Sequence, residues 1–317
     1  MTDQSSLPPT RPAHGKRIFR TCFTLFAILV IVLVVAGYIL LDYSPIPAAP
    51  TYPLDIAQIR QLAQGDASLL PVRLNVLSLG QGDMPQFMVL AGGGLKTIPM
   101  PVPVFQVVYP DHTVMVDTGM DQTSFNQMFG SVPFSAASYD QLQSAMRSCQ
   151  TILLTHEHLD HIAGLSTSSY LDELLPRLLL SREQYDTILR DKTLTSEQLA
   201  NLTPLVYDRY QTVAPGMVLV KAAGHSPGSQ MVYLRLQNGS EFLIVGDVVW
   251  SMDSLTRLKG RPLFMSLVIR EDLPAIRDQA RSLHDLTQSQ PVHLLISHDY
   301  LLIHDTIQQG LVGSSLE

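Results

Sequence analysis

The feature that most constrains this chain is an uninterrupted apolar segment near its N-terminus. Residues 21–41 contain no charged side chain. A helix of this length spans about 31 Å, which matches the hydrocarbon core of a bilayer. Because the segment is apolar on every face, it is predicted to be a transmembrane helix, not a buried helix of a soluble domain. A cleaved signal peptide is the rival interpretation, although the apolar region of a signal peptide is normally shorter.

The charges that flank this segment predict its orientation. Arg11, Lys16, Arg17 and Arg20 precede it, whereas the first basic residue after it is Arg60. Basic residues favour the cytoplasmic side of a membrane, so residues 1–20 are expected to form a short cytoplasmic tail. The sequence therefore predicts a single-pass membrane protein whose main domain is extracytoplasmic, in the periplasm or in the extracellular space.

The rest of the chain reads as one folded domain that follows a short linker. Residues 42–53 are rich in proline, which favours an extended and semi-rigid spacer, and the domain is expected to cover residues 54–317. Residues 42–317 carry a net charge of −10, so no nucleic-acid partner is expected. The two cysteines, Cys22 and Cys149, exclude a disulfide scaffold. Nothing in the sequence predicts the oligomeric state.

Short apolar runs alternate with helical patterns along this domain. A mixed sheet covered by helices, and hence an α/β fold, is the predicted class. The glycine- and proline-rich stretch 92–103 is predicted to be a loop that borders a site. Strands are predicted at residues 74–79, 105–109, 114–116, 151–154, 217–222, 231–236, 242–245 and 293–296, and helices at 139–149, 171–180, 183–190 and 274–286.

The densest group of reactive side chains follows the predicted strand 151–154. Residues 155–161 read Thr-His-Glu-His-Leu-Asp-His. Imidazoles and carboxylates together suit borderline divalent metals such as zinc. His156 and His158, two apart in an extended segment, lie on one side and can hold one ion, whereas Asp160 and His161 can face a second ion.

Three further candidate ligands follow other predicted strands. His225 lies in the turn Ala-Gly-His-Ser-Pro-Gly, Asp247 follows Val-Gly, and His298 stands between Ser297 and Asp299. Each of them taken alone has an ordinary interpretation as a turn or surface residue. Because all of them follow strands, as the first motif does, together they predict one metal site.

With these residues in place, the sequence resembles the metallo-β-lactamase superfamily of hydrolases over about residues 72–300. The resemblance implies a four-layer αβ/βα sandwich with a two-metal centre at one edge. It implies that one ion is held by His156, His158 and His225, the other by Asp160, His161 and His298, and that Asp247 bridges both. Asp117, in the sequence Val-Asp-Thr-Gly, is expected to orient a ligand histidine without binding metal itself.

The resemblance also implies a mechanism. Two divalent cations, with zinc as the expected metal, would hold a hydroxide that attacks the substrate. Asp160 is the candidate catalytic residue that passes a proton to the leaving group. The sequence does not settle which metal is loaded in the cell, since sites of histidine and aspartate also accept iron, manganese or cobalt.

Departures from family patterns narrow the substrate class. His158 stands where the flavin-linked diiron relatives carry glutamate, and Asp247 stands where one class of true β-lactamases carries cysteine. The residues 224–229 and 297–299 are similar to N-acyl-homoserine lactonases, so an ester-type bond, and first of all a lactone, is the predicted target. Trp250 departs from the tyrosine that lactonases often carry three residues after the bridging aspartate, and simple apolar packing is its alternative role.

Several alternatives stay open at this stage. Thioester hydrolysis of the glyoxalase II type and phosphodiester hydrolysis are the other enzymatic possibilities. A membrane-anchored binding protein with a relict site is the alternative from another class. The expected partner is a small-molecule substrate, and the apolar stretch 90–105 raises the hypothesis that this substrate is acylated or lipid-like and is met at the membrane surface.

Overall fold

A computed structural model describes residues 14–317 of the chain. Residues 1–13 of the predicted cytoplasmic tail therefore lie outside the described residues. The helices are α1 (His14–Leu41), α2 (Ile56–Leu62), α3 (Gln86–Val89), α4 (Gln122–Phe129), α5 (Ala136–Ser148), α6 (Leu159–Ser166), α7 (Leu171–Leu174), α8 (Arg182–Arg190), α9 (Met252–Thr256), α10 (Leu263–Ile269), α11 (Leu273–Ser289) and α12 (Tyr300–Gln308). The strands are β1 (Arg73–Pro85), β2 (Thr97–Val108), β3 (Thr113–Val116), β4 (Thr151–Leu153), β5 (Leu178–Leu179), β6 (Tyr210–Ala214), β7 (Met217–Lys221), β8 (Gln230–Arg235), β9 (Glu241–Gly246) and β10 (His293–Ile296).

Two mixed sheets of five strands each form the centre of the domain. The first has the order β1-β2-β3-β4-β5 and the second the order β10-β9-β8-β7-β6. Their facing sides bury one apolar core, to which Leu74 and Phe105 contribute from the first sheet and Val232 and Phe242 from the second. Because each sheet is antiparallel at one end and parallel at the other, helical crossovers are needed only where strands run parallel.

Helices cover the outer faces of both sheets. Leu142 of α5 and Ile162 of α6 pack with residues such as Ile152 on the first sheet. Ile59 of α2 and Leu283 of α11 pack on the second sheet. The result is the four-layer αβ/βα sandwich that the sequence predicted, and the predicted fold class is confirmed.

The predicted loop at 92–103 is confirmed for residues 92–96 and wrong for residues 97–103, because β2 begins at Thr97 and pairs with β1 along its length. Pro99, Pro101 and Pro103 alternate along β2, so the positions that lack an N–H all lie on one edge of the strand. That edge is unpaired along the first part of β2, since β3 pairs only with residues from Phe105 onward. An edge strand tolerates proline on its free side, which is why this segment does not form a loop.

The predicted helix at 171–180 is also shorter than expected. Helix α7 ends at Leu174, a 3₁₀ turn covers Leu175–Arg177, and β5 follows at once. Pro176 lacks the N–H that would continue an α-helix, and the exposed position of the turn leaves the chain free to enter the sheet.

Helix α1 contains the apolar segment of the sequence. Among the described residues it is the one helix long and apolar enough to cross a membrane, over Arg17–Leu41, and its apolar side chains are exposed. An N-terminal signal sequence can meet the same criteria of length and hydropathy. The residues that follow do not extend away from the domain: Asp42 pairs with Lys259 at 2.9 Å, and Thr51 bonds to Asp278.

Candidate metal centre

Four strand ends bring the predicted ligands to one place. His156 and His158 follow β4, His225 follows β7, Asp247 follows β9 directly, and His298 follows β10. Short buried strands end at the same edge of the sandwich, so residues far apart in sequence converge there. His158 is also the residue that precedes α6, whose first turn then carries Asp160 and His161.

The seven predicted residues form two groups. One atom each from His156, His158 and His225 lie within 4.8 Å of one another, and so do one atom each from Asp160, His161, Asp247 and His298. All seven side chains are buried or nearly so. The structure therefore brings together every residue that the sequence put forward as a ligand.

Asp247 lies between the two groups. Its Oδ2 is 3.4 Å from Nε2 of His225 and 3.1 Å from Nε2 of His298, and its Oδ1 is 3.5 Å from Nε2 of His161. Oδ2 thus lies near histidines of both groups, and a carboxylate in this position can contact ions held by both.

Asp117 forms a hydrogen bond with Nδ1 of His161, one of the predicted ligands. Its Oδ2 is 2.9 Å from Nδ1 of His161, and its two oxygens also accept hydrogen bonds from the backbone N–H and the hydroxyl of Thr155. Asp117 has a left-handed backbone, with φ of 63°. A histidine that donates Nδ1–H to a carboxylate presents its unprotonated Nε2 to a metal. The expected orienting role of Asp117 therefore fits its contact with His161.

The turn after Asp117 is packed tightly against α6. The hydroxyl of Thr118 donates to the carbonyl oxygen of His161 and accepts from the backbone N–H of Leu165. A Cβ at Gly164 would clash with the carbonyl oxygen of Thr118. Only glycine permits this approach, which fixes the first turn of α6 against the strand β3 that precedes Asp117.

Glu271 forms a hydrogen bond with His225, a contact that was not predicted from the sequence. Its Oε1 is 2.7 Å from Nδ1 of His225, and Arg261 forms an ion pair with the same carboxylate. The side chains of Glu271 and Arg261 are 0% and 3% exposed. Both residues lie near the ends of α10, more than thirty positions after His225, and no local pattern could have linked them to it.

A backbone carbonyl and a glutamate also hold predicted ligands or the turns that carry them. Nδ1 of His298 lies 2.8 Å from the carbonyl oxygen of Pro101, on the free edge of β2. Glu157, the middle residue of the His-Glu-His segment, accepts hydrogen bonds from the hydroxyl of Ser226 and the N–H of Gly228. Glu157 thus ties the turn that carries His225 to the turn that carries His156.

Trp250 faces the same centre. Its Nε1–H donates to Oδ2 of Asp247 at 2.7 Å, and the guanidinium of Arg261 lies 4.6 Å from the ring. The rest of the indole packs in an apolar cluster with Val89, Met100 and Met265. The apolar packing considered from the sequence is therefore only part of its role, because Trp250 packs and also contacts a predicted ligand.

The electrostatics of the centre favour a bound cation. Burial lowers the pKa of His298, but Asp247 and Asp160 outweigh burial and raise it to about 10. Burial also lowers the pKa of His161, but Asp117 and Asp160 raise it well above its ordinary value. Burial and the neighbouring His161 lower the pKa of His156 well below its ordinary value. The carboxylates favour positive charge in this centre, whereas burial and close spacing disfavour protonation of all its imidazoles. A divalent ion supplies the positive charge without adding protons to the imidazoles.

Buried polar atoms without hydrogen-bond partners also indicate that divalent ions fit this centre. Nε2 of His156, Nε2 of His161 and Oδ1 of Asp247 are buried and have no hydrogen-bond partner within residues 14–317. Buried polar atoms without partners are rare and need a reason. Tetrahedral ligands at zinc–nitrogen distances lie about 3.3 Å apart, which is close to the separations around Asp247. The donor set of five imidazoles and two carboxylates fits a pair of borderline divalent ions.

A cleft of about 320 Å³ opens beside this centre. His298 forms one part of its wall, and the rest is mostly apolar. The apolar part comes from α3, β2 and the start of α12, and includes Val89, Leu90, Ile98 and Leu302. The cleft is of a size that accommodates a small-molecule substrate.

Comparisons with known proteins agree with this geometry. Residues 97–287 match the family model described as the metallo-beta-lactamase superfamily. An N-acyl homoserine lactonase of Bacillus thuringiensis is 21% identical over 175 residues, which are 50% of this chain and 68% of that protein. A DNA cross-link repair 1A protein of Mus musculus is 30% identical over 117 residues, which are 37% of this chain and only 11% of that protein's length.

The fold has solved counterparts as well. The structure of an N-acyl homoserine lactone hydrolase, with the product N-hexanoyl-L-homoserine at its catalytic metal centre, superimposes with a TM-score of 0.56. The superposition covers 75% of this chain and 97% of the other, at 17% identity. At 17% identity, the similarity shows only that the two proteins share a fold.

Proposed function

This chain belongs to the metallo-beta-lactamase superfamily and is a hydrolase, and on that premise we propose that it cleaves an ester-type bond, first of all a lactone. The observation that carries the proposal is the convergence of the seven predicted ligands into two adjoining groups. The similarity to N-acyl homoserine lactonases, in sequence and in fold, supports the choice of a lactone.

The proposed ligand sets follow the two groups. His156, His158 and His225 would hold one ion, Asp160, His161 and His298 the other, and Asp247 would contact both. Zinc is the expected metal, because imidazole and carboxylate donors suit it. When bound, such a pair of ions lowers the pKa of water and stabilises negative charge that develops on a substrate oxygen.

The chain's own residues prepare the centre for this chemistry. Asp117, Glu271 and the carbonyl of Pro101 each accept the Nδ1–H of one histidine, so that the Nε2 atoms of His161, His225 and His298 are left to bind the ions, which would displace any proton there. Fixed ring orientations reduce the reorganisation needed during the reaction.

Asp160 is the proposed proton carrier. Its side chain is 12% exposed, more than Asp247 at 3%, so it is the carboxylate of the centre nearer to solvent. Burial raises the pKa of Asp160, but the neighbouring His161 and His298 outweigh it and lower the pKa to about 2. Ionised Asp160 would accept a proton from the attacking water and deliver it to the leaving alkoxide.

We also propose that α1 anchors the enzyme, with the N-terminus in the cytoplasm and the catalytic domain outside. The basic residues before residue 21 and their absence until Arg60 support this orientation. The proposed partners are a small-molecule substrate and the membrane itself.

A phosphodiester hydrolase is the second candidate. The 30% identity to a DNA cross-link repair protein favours it, since DNA is a phosphodiester polymer. The net charge of −7 opposes an extended nucleic acid as the substrate, so the phosphodiester would be a small one.

A substrate panel tests the proposal. The full chain, purified in detergent and loaded with zinc, is offered lactones, thioesters, phosphodiesters and β-lactams. We expect lactone opening to be fastest, to vanish in His158→Ala, and to persist in His304→Ala, which removes an exposed histidine on α12. Preference for a thioester or a phosphodiester would overturn the lactone assignment, and the absence of both bound metal and turnover would favour the binding protein with a relict site.

A further inference from the structure

An apolar surface lies beside the end of α1. It consists of Leu267 and Val268 on α10, which are 60% and 73% exposed, together with Leu95, which is 85% exposed. We propose that this surface, here called the membrane face, rests on the bilayer and so holds the mouth of the substrate cleft at the membrane. The inference depends on the proposed anchoring by α1.

The domain is fixed to the end of α1 and is not free to tumble on a linker. Gly92 N–H donates to the carbonyl oxygen of Leu41 at 3.0 Å, and Asp42 pairs with Lys259. Gly260 N–H then donates to the carbonyl oxygen of Ser44, whose residue is buried. A spanning helix that is held in this way dictates which side of the domain faces the bilayer.

Helix α10 is on that side, because it packs against α1 itself. The last residues of α1 belong to its apolar, membrane-length stretch, which ends at Leu41. Lys259 and Gly260, shortly before α10, contact Asp42 and Ser44, shortly after α1, so we place α10 at the level of the membrane boundary. Two adjacent large apolar side chains, Leu267 and Val268, are therefore expected to enter the headgroup region, where burial of apolar surface is favourable.

The third residue of the membrane face, Leu95, lies in a loop that is connected to both α1 and α10. Leu95 belongs to the loop whose Gly92 bonds to the end of α1. That loop folds back on α3 through a hydrogen bond from Phe87 N to Gly94 O, and the ring of Phe87 lies 6.1 Å from that of Phe264 on α10. Lys96, next to Leu95, adds a positive charge that favours lipid headgroups, whereas the charge of Lys259 is balanced by Asp42.

The cleft lies beside the segment that joins the membrane face to α1. Leu90, two residues before Gly92, lines the cleft together with His298. Leu95, Leu267 and Val268 do not line the cleft themselves, so we place its mouth next to the membrane face, where Val89, Leu90 and Ile98 form an apolar wall that leads towards His298. The substrate class that fits is an ester with a long acyl chain that partitions into the bilayer.

Fluorescence quenching tests the membrane face in the full chain. Cys22→Ser leaves only the buried Cys149, and Val268→Cys then carries a bimane label in phosphatidylcholine vesicles that contain spin-labelled lipid. The matched control is Val206→Cys, which is 78% exposed and lies just before β6. We expect quenching at position 268 to exceed that at 206 at least threefold, and equal quenching at both positions would overturn the inference.

Two further variants separate the possible causes of failure. Val32→Cys, in the middle of α1, reports insertion: no quenching there would mean that the proposed anchoring has failed, whereas quenching at 32 but not at 268 would mean that this inference has failed. Disulfide cross-linking of Val268→Cys between two chains, without lipid quenching, would show a dimer interface in place of the bilayer. None of these readouts requires hydrolysis.

The consequence for substrates has its own test. Replacing Leu267 and Val268 together by aspartate should lower hydrolysis of a long-chain ester in vesicles several-fold and leave hydrolysis of a short soluble ester unchanged. The short ester verifies that the variant is folded. An unchanged rate on the long-chain ester would contradict the proposed membrane delivery.

Discussion

The indole N–H of Trp250 donates to Oδ2 of Asp247 at 2.7 Å. Through this contact the single tryptophan of the chain is joined to the carboxylate that lies between the two ligand groups. Arg261 packs on the ring and pairs with Glu271, which bonds in turn to His225. One continuous set of contacts therefore holds two of the proposed ligands in place.

Removing the indole donor should weaken metal binding. Trp250→Phe keeps an aromatic ring but leaves Asp247 without its 2.7 Å hydrogen bond, so we expect zinc affinity to fall about tenfold. Competition with a chelator measures this affinity. Phe129→Leu, a change in the same apolar cluster without a polar contact to Asp247, should leave it unaltered, and equal affinities in both variants would refute the role of Trp250.

Neutralising Glu271 should destabilise the fold. Glu271→Gln leaves the guanidinium of Arg261 buried without its counter-charge, which typically costs about 3–5 kcal/mol. The free energy of unfolding, measured by chemical denaturation in detergent, tests this. Glu183→Gln removes a partly exposed pair with Lys221 and should cost less than about 1 kcal/mol. A similar small cost at both positions would contradict the buried pair's importance.

Replacing the carboxylate of Asp117, which bonds to His161, should lower metal affinity without changing the backbone conformation. Asp117→Asn retains a residue type that tolerates the left-handed φ of 63°, but it no longer accepts two hydrogen bonds from His161 and Thr155. We expect zinc affinity to fall about 10–100-fold with the melting temperature nearly unchanged. Asp111→Asn, on an exposed turn, is the control, and an unchanged affinity in Asp117→Asn would count against the orienting role.

The thiol of Cys149 should resist alkylation in the folded protein. Burial raises its pKa to about 11, so the reactive thiolate is scarce at pH 8. Since the folded-state pKa exceeds the ordinary value of 9.0, this thiol adds stability below pH 9 that is lost as the pH rises toward 11. In the Cys22→Ser background, iodoacetamide at pH 8 should label the protein only after denaturation. Rapid labelling of the native protein would contradict this.

The local parts of the site were predictable, and the distant supports were not. His156 to His161 form one dense motif after a buried strand, and their identity alone indicates metal chemistry. The carbonyl of Pro101 escaped prediction because alternating prolines resemble a loop until the unpaired edge of β2 is seen. Glu271 and Arg261 reach His225 only through the packing of α10 and α11, and spacing in the sequence contains no trace of that contact.

The central claim is that seven side chains hold a pair of divalent ions. Metal analysis of the purified full chain, by mass spectrometry after exhaustive dialysis, tests it most directly. We expect close to two ions per chain in the native protein and in His304→Ala, and a loss of at least one ion in His158→Ala. A folded native chain that retains no divalent ion, or only one with equal content in all three proteins, would contradict the account.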